Sequence, residues 1–493
     1  MTDPATETNE ESGDKGMNDD TTSGRAMHPK KAEIYDALAK MRQDNAAAQA
    51  RLTKRASLAD YRALVRPSQQ DGQKISVWSE ALQAALDENE IVFIPRAEEP
   101  YYIDRSILIP SDRRIEAEDG AVIRLKKGIR TLMLRNRHVA DGTHAPISAP
   151  VRDHNICITG GRWEESMDVR AGYGKTGMID EERSFYGVST AMLFNNLSGL
   201  TLQNMTFAHM AGFAVQCGDL QNAVMGNIAF DQCYADGLHL NGNIDRAWIC
   251  DIHGQCGDDL VALNAYDWQN SSVNFGPMRC ILCENLELSA SSPYKAMRIQ
   301  PGIYYYDDGS WVDCALDGII VKNVRGIRTF KLYYQTPRYK LRTQKPERGA
   351  PGSGDWLFFE DISVDLAGPI DGFREYRESD PVRGAFAAFE IGANIKHLFF
   401  ENIDLTLHRE KYPLSYLLCA GPKSCVVDEG TCEIFDPYVS CKLEELHLGR
   451  IRINGNTPDR IEPYLKAVAF DDVNRDGFSS GRGMIERVEY EQG

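Results

Sequence analysis

No apolar run in this chain of 493 residues approaches the ~18 that a bilayer-crossing helix needs, so no helical membrane span is expected. The start, Met1-Thr2-Asp3-Pro4-Ala5-Thr6-Glu7, lacks the basic-then-apolar order of an export signal, and a cytoplasmic location is expected. Positive charge is scarce. With 55 Lys and Arg against 72 Asp and Glu the formal charge is -17, which argues against nucleic acid and anionic membrane as partners, since both need a basic face. Cys280 and Cys283 form a Cys-x-x-Cys with no second pair at zinc-finger spacing, and no loop reads as a calcium cage. No metal and no cofactor are expected.

What is present is ample core. Hydrophobic content of 42%, with 18 Phe and 21 Tyr, would fill one large repeat domain or two to three ordinary ones. The 12 cysteines fit that core: Cys157, Cys217, Cys250 and Cys419 fall inside apolar strand-like runs and read as buried free thiols. Residues 1–28, acidic and almost without apolar side chains, read as a disordered tail. A helical extension is expected over 29–70, where Ile34, Leu38, Met41, Ala48 and Leu52 fall at nearly helical spacing. Its Pro29–Leu64 part is the element through which copies of the chain would pair into a homo-oligomer. A shorter helix follows, with Ser76 as its N-cap and Trp78, Leu82 and Leu86 on one stripe, placed to cover the open edge of the sheet that begins at Ile91.

From there the chain is strand upon strand. A unit with an apolar pair, a polar residue (often Asn) and a second alternating strand recurs around Asn204, Asn227, Asp251, Asn285, Asn323 and Asn402. Intervals of 23 and 24 residues separate the first three, and later ones are wider. A period of about that length, rich in Val, Ile and Phe and without a Leu-x-x-Leu-x-Leu ladder, specifies an all-β fold: a right-handed parallel β-helix (solenoid) over 71–485. Loops inserted on one side would account for the wider intervals.

Two segments carry the chemistry. Asp236-Gly237-Leu238-His239-Leu240-Asn241 is followed, 22 residues after Asp236, by Asp258-Asp259-Leu260-Val261-Ala262-Leu263-Asn264. If that offset is one turn, Asp236, Asp258 and Asp259 converge, and clustered carboxylates resist joint ionisation, as acid/base work requires. Aligning Phe213-Ala214-Val215-Gln216 with the later strands puts His239, Arg298, Lys331 and Glu390 in one outward-pointing column whose apolar neighbours point inward. Carboxylates beside Arg and Lys suit cleavage of an anionic or polyhydroxylated sugar. Tyr266, Trp268, Tyr304, Tyr305, Tyr306 and Tyr333 would stack on sugar faces. Each has a plainer reading: Asp236-Gly237 as a turn, Arg298 and Lys331 as solvated ladder charges, His239 and Glu390 as packed side chains. His209 and His253 read as structural.

The Asp236-Gly237, Gly257-Asp258-Asp259 and Arg298-Ile299 series resembles the polygalacturonase family, glycoside hydrolase family 28, within the pectin-lyase-like β-helix superfamily. The family's motifs are Asn-Thr-Asp, Gly-Asp-Asp, Gly-His-Gly and Arg-Ile-Lys. The resemblance implies Asp258 as general acid, Asp236 and Asp259 activating water for inversion, and Arg298 holding the substrate. This chain has Tyr234-Ala235 before the first Asp, no Gly-His-Gly between Asp259 and Arg298, and Gln300 where the family has Lys. Lys331, from the next turn, is the cation placed to stand in for that Lys, and His239, Gln300, Tyr333 and Glu390 complete the substrate-binding set.

The leading reading is a glycoside hydrolase acting on oligosaccharides, its partner a carbohydrate substrate. A β-helix lyase or fructan/glycan transferase, and a non-catalytic carbohydrate-binding β-helix, remain as alternatives. A lyase would leave an unsaturated product, and a binding module would tolerate Asp258→Asn.

Overall fold

The computed structural model describes residues 27–129, 131–139, 151–166, 176–178, 184–186, 190–267, 273–305, 308–333, 349–368, 386–421, 440–467 and 482–492. The tail expected over 1–28 lies outside them apart from Met27 and His28. Strands dominate, and those of the coil pair in parallel with the strand one turn further on. Thr190–Met210 lies beside Phe213–Cys233, followed by Ile244–Cys256, Met278–Leu288, Leu316–Arg325, Ser353–Leu366, Asn394–Leu407, Cys441–Ile453 and Gly483–Glu491. This is the parallel β-helix that the repeats imply. Its first strand is Arg55–Ser57, paired with Ile91–Phe93, and its last ends at Glu491, so paired strands lie on both sides of the limits read as 71 and 485.

The recurring polar residue makes a corner. Asn204, Asn227, Asp251, Asn285, Asn323, Asp361 and Asn402 all have φ between 50° and 57°, the left-handed region that Asn and Asp tolerate best. Each coil bends there, and the side chains bond along the axis: Asn227 Nδ2 donates to Asn204 Oδ1 at 2.9 Å, Asn285 to Asp251 at 2.8 Å and Asn323 to Asn285 at 2.7 Å. Inside, like stacks on like. Leu200, Ala223, Ala247, Ile281, Ile319, Leu357, Leu398 and Leu446 fall in one register row, all fully buried or nearly so. Each large aliphatic side chain in such a row contributes about 1.5–3 kcal/mol by leaving water.

Helix α1 spans Pro29–Ala50. Pro29 suits the first turn, where no N–H partner is needed, and His28 Nδ1 accepts from the Lys30 N–H at 3.2 Å. Helix formers continue to Ala50, where the helix stops; Arg55–Ser57 and Arg66–Gln70 are strands joined by a 3-10 turn, Leu58–Leu64. The helical extension read as 29–70 therefore ends twenty residues early, because Arg55–Ser57 and Arg66–Gln70 pair into the sheet. The stripe Ile34, Leu38 and Met41 lies on Val224, Leu282, Ile320 and Phe358 of the coil's own outer face. That stripe is covered within the chain.

Helix α2 spans Ser79–Glu88, not from a Ser76 cap. Ser76 is drawn into an antiparallel ladder opposite Pro67, and the helix begins after Trp78. Leu82 and Leu86 are buried, and α2 packs on the 3-10 turn and on strands Ile91–Ile94 and Ile107–Ile109, covering the first turns of the coil.

Candidate functional site

The expected column forms. Gln216 pairs with His239, His239 with Ala262, Arg298 with Lys331, Lys331 with Glu390 and Glu390 with Cys419; the pairing of Leu263 with Ile299 sets Ala262 beside Arg298. These side chains point away from the coil's interior but are not an open strip: Gln216, His239, Lys331 and Glu390 are buried, and Arg298 keeps 12% side-chain exposure.

The carboxylates meet, with a slip of one residue. Leu238 pairs with Val261, a turn of 23 residues rather than 22, so Asp236 stacks on Asp259. Gly237 N–H donates to the Asp259 carbonyl at 2.9 Å, and the Asp259 N–H donates to Asp236 Oδ1 at 3.1 Å. Asp258, alternating in direction, comes in from the side. One oxygen of each carboxylate lies within 4.8 Å of the others. The two glycines are there for clearance rather than for a loose turn: a Cβ on Gly257 would sit 2.0 Å from the Tyr234 carbonyl, and one on Gly237 would sit 2.5 Å from the Phe230 ring.

Only Asp258 reaches the surface, its side chain 24% exposed against 0% for Asp259. Arg298 ties the patch together. Its terminal nitrogen donates to both Asp258 oxygens at 3.1 and 3.3 Å, its backbone N–H donates to Asp259 Oδ1 at 3.0 Å, and its Nε lies 3.4 Å from Asp259 Oδ2. Burial pushes the Asp236 carboxyl well above its usual range, with the Asp258 charge adding to it. Burial does the same to Asp259 against the pull of Arg298, with Asp258 and Asp236 pushing further. The oxygens are close enough to share a cation, but the Arg298 guanidinium already brings positive charge to Asp258 and Asp259, and we assign no metal to them.

Behind this front lies a polar interior that the sequence reading missed. His239 Nδ1 is 2.5 Å from Asp236 Oδ2, its ring stacked on Phe213 at 4.2 Å. Its Nε2 is 3.2 Å from Asn241 Nδ2 and 3.6 Å from Asp267 Oδ2. Asp267 also accepts from Asn264 at 3.1 Å and Gln300 at 3.5 Å, so Gln300, expected at the substrate, is turned toward Asp267. The signal for this was Asn241, Asn264 and Gln300 in one column, since stacked buried amides need a shared acceptor. Tyr294 was also missed. Its ring lies 5.5 Å from the Arg298 guanidinium carbon and 5.0 Å from Lys331 Nζ. Of the expected sugar platforms, Tyr266 and Tyr333 are buried, Tyr266 against Phe275 and Tyr304. Tyr304 is half-buried, and Trp268, Tyr306 and the Tyr305 side chain lie outside the described residues.

No family model and no curated protein matches the chain. Among solved structures it is similar to an exopolygalacturonase from Thermotoga maritima, at 12% identity and a TM-score of 0.45, covering 92% of this chain and 96% of that one. The endo-xylogalacturonan hydrolase of Aspergillus tubingensis is similar at 10% identity and a TM-score of 0.41, over 80% and 96%. The Streptococcus pneumoniae surface protein and adhesin PfbA is similar at 12% and 0.36, over 89% and 100%. Likenesses this distant leave the site's own geometry to carry the functional argument.

Proposed function

We propose that the chain is a carbohydrate-active β-helix that hydrolyses glycosidic bonds at Asp236, Asp258 and Asp259. One observation carries this reading: a single surface carboxylate, Asp258, backed by two buried ones and fixed by Arg298. Buried carboxylates crowded this way are expensive to keep without a use. Asp258 is the group that can meet a departing glycosidic oxygen, Arg298 the group that can hold the sugar beside it, and Asp259 the store whose proton Asp258 passes to that oxygen and which the proton of the attacking water refills. Oxygens within 4.8 Å of one another are closer than the ~6.5–9.5 Å at which an inverting pair holds a water between its carboxyls, so the spacing does not favour inversion.

The test is release of reducing ends from a panel of uronic and neutral oligosaccharides. Asp258→Asn should lower the rate by about 10²–10⁴-fold with the melting curve unchanged. An unsaturated, ultraviolet-absorbing product would replace this reading with a lyase. A second reading is favoured by the Arg298–Asp258 pairing, which leaves a self-satisfied patch: a non-catalytic sugar-binding surface. Under it, wild type and Asp258→Asn both bind oligosaccharide and neither releases reducing ends.

A further inference from the structure

We infer that the acidic patch holds one proton, that it rests on Oδ2 of Asp259, and that His239 is the positioning residue that keeps Asp236 ionised. The argument starts at Asn241. Its Oδ1 accepts from the Val273 backbone N–H at 3.1 Å and from Gln216 Nε2 at 3.1 Å. The amide orientation is thereby fixed, and its Nδ2 faces His239 Nε2. An amide N–H can only donate, so Nε2 accepts and the imidazole proton sits on Nδ1. From there it is donated to Asp236 Oδ2, while the other Asp236 oxygen accepts from the Asp259 N–H. Both oxygens of Asp236 accept, and protonating either would displace a donor.

Asp259 differs at one atom. Oδ1 accepts from the Arg298 N–H, but buried Oδ2 has no hydrogen-bond partner among the described residues, the Arg298 Nε at 3.4 Å being an ion-pair contact and not a hydrogen bond. Two buried carboxylates beside a third cannot all be ionised in such a site, and the proton goes to the oxygen with room for it. The other charged or titratable groups facing this pair are Asp258, Arg298, Lys331 and Tyr294 around Asp259, Asp267 behind His239, and the buried Cys256 thiol. Asp236 and Asp267 are the carboxylates that would favour a second proton on His239, but Asn264 and Gln300 already donate to the Asp267 oxygens and a proton on Nε2 would displace the Asn241 amide donor.

The inference rests on the hydrolase reading only for its meaning in turnover, and its test needs no substrate. Infrared spectra of the full chain at neutral pH should show the carbonyl band of one protonated buried carboxyl. Asp259→Asn should abolish it. His239→Asn, whose amide nitrogen can take the Nδ1 position, should leave it in place, whereas His239→Gln should move the proton to Asp236 and shift the band. A band that survives Asp259→Asn and disappears in Asp236→Asn, or no band at all, overturns the inference. Should these variants unfold, the ¹⁵N-histidine spectrum of the wild type decides: His239 neutral with its proton on Nδ1 supports it, and an imidazolium overturns it. Absence of sugar release with the band present removes the hydrolase reading alone.

Discussion

Two rows of outward-pointing side chains run along this coil and are hidden from water by opposite means. Val224, Trp248, Leu282, Ile320, Phe358 and Phe399 stack in one row, apolar throughout, and α1 lies over it. Gln216, His239, Arg298, Lys331 and Glu390 stack in the other, polar save for Ala262 among them. The first row gains stability from burial by the ordinary transfer of apolar surface. The second loses stability unless its groups are bonded, and beside it Asp259 Oδ2 has no hydrogen-bond partner among the described residues. Where a repeat fold could have placed Val or Leu and placed acid, amide and guanidinium instead, the proposed hydrolysis gives a reason in chemistry rather than packing.

The sharpest way to break the contrast is at a buried ionic contact in the apolar seam. Lys31 Nζ and Glu360 Oε2 are 2.6 Å apart, with side chains only 8% and 11% exposed. Glu360→Ala should cost about 3–5 kcal/mol by stranding the lysine, and Lys31→Met with Glu360→Met should restore most of it; denaturant melts measure both. Leu38→Ala, at the centre of the seam, should cost about 2–5 kcal/mol while leaving any reducing-end release per folded molecule unchanged. Lost activity at full folding would show that α1 shapes the polar row as well.

The third effect is smaller and separates the rows by pH. Asp236 and Asp259 are raised in the folded chain, chiefly by burial, so the folded state keeps a proton that the unfolded chain has already released. Stability should therefore be full below the ordinary aspartate range and fall as pH climbs through the raised one. Thermal melts across pH should show this fall in the wild type and a flatter curve in Asp259→Asn, with Leu38→Ala parallel to the wild type.

Much of this was legible because period-two alternation and Asn at corners are local signals. Asn204, Asn227 and Asn285 announced the bends, and the column from His239 to Glu390 followed from counting, whereas Gln216 at its head did not. The one-residue slip between Asp236 and its partner was not legible, since turn length varies by a residue from coil to coil: Thr190 to Phe213 is 23, Leu220 to Ile244 is 24. The depth of the site escaped for a different reason. Alternation says which side chains leave the interior, and nothing about what lies above them. Asp267 and Tyr294 sit in the loops beyond Asn264 and before Ala296, where no repeat fixes their place.

A coil of this kind is held together by contacts between adjacent turns, and such a chain of neighbours tends to fray from its ends or part in the middle. Helix α1 breaks that rule. It touches strands from at least seven turns, Asp153–Glu164 through Ser353–Leu366, and so binds together coils that never meet one another. Its presence should make the middle of the solenoid melt as one cooperative block, with the carboxylate-bearing turns inside that block rather than at its margin.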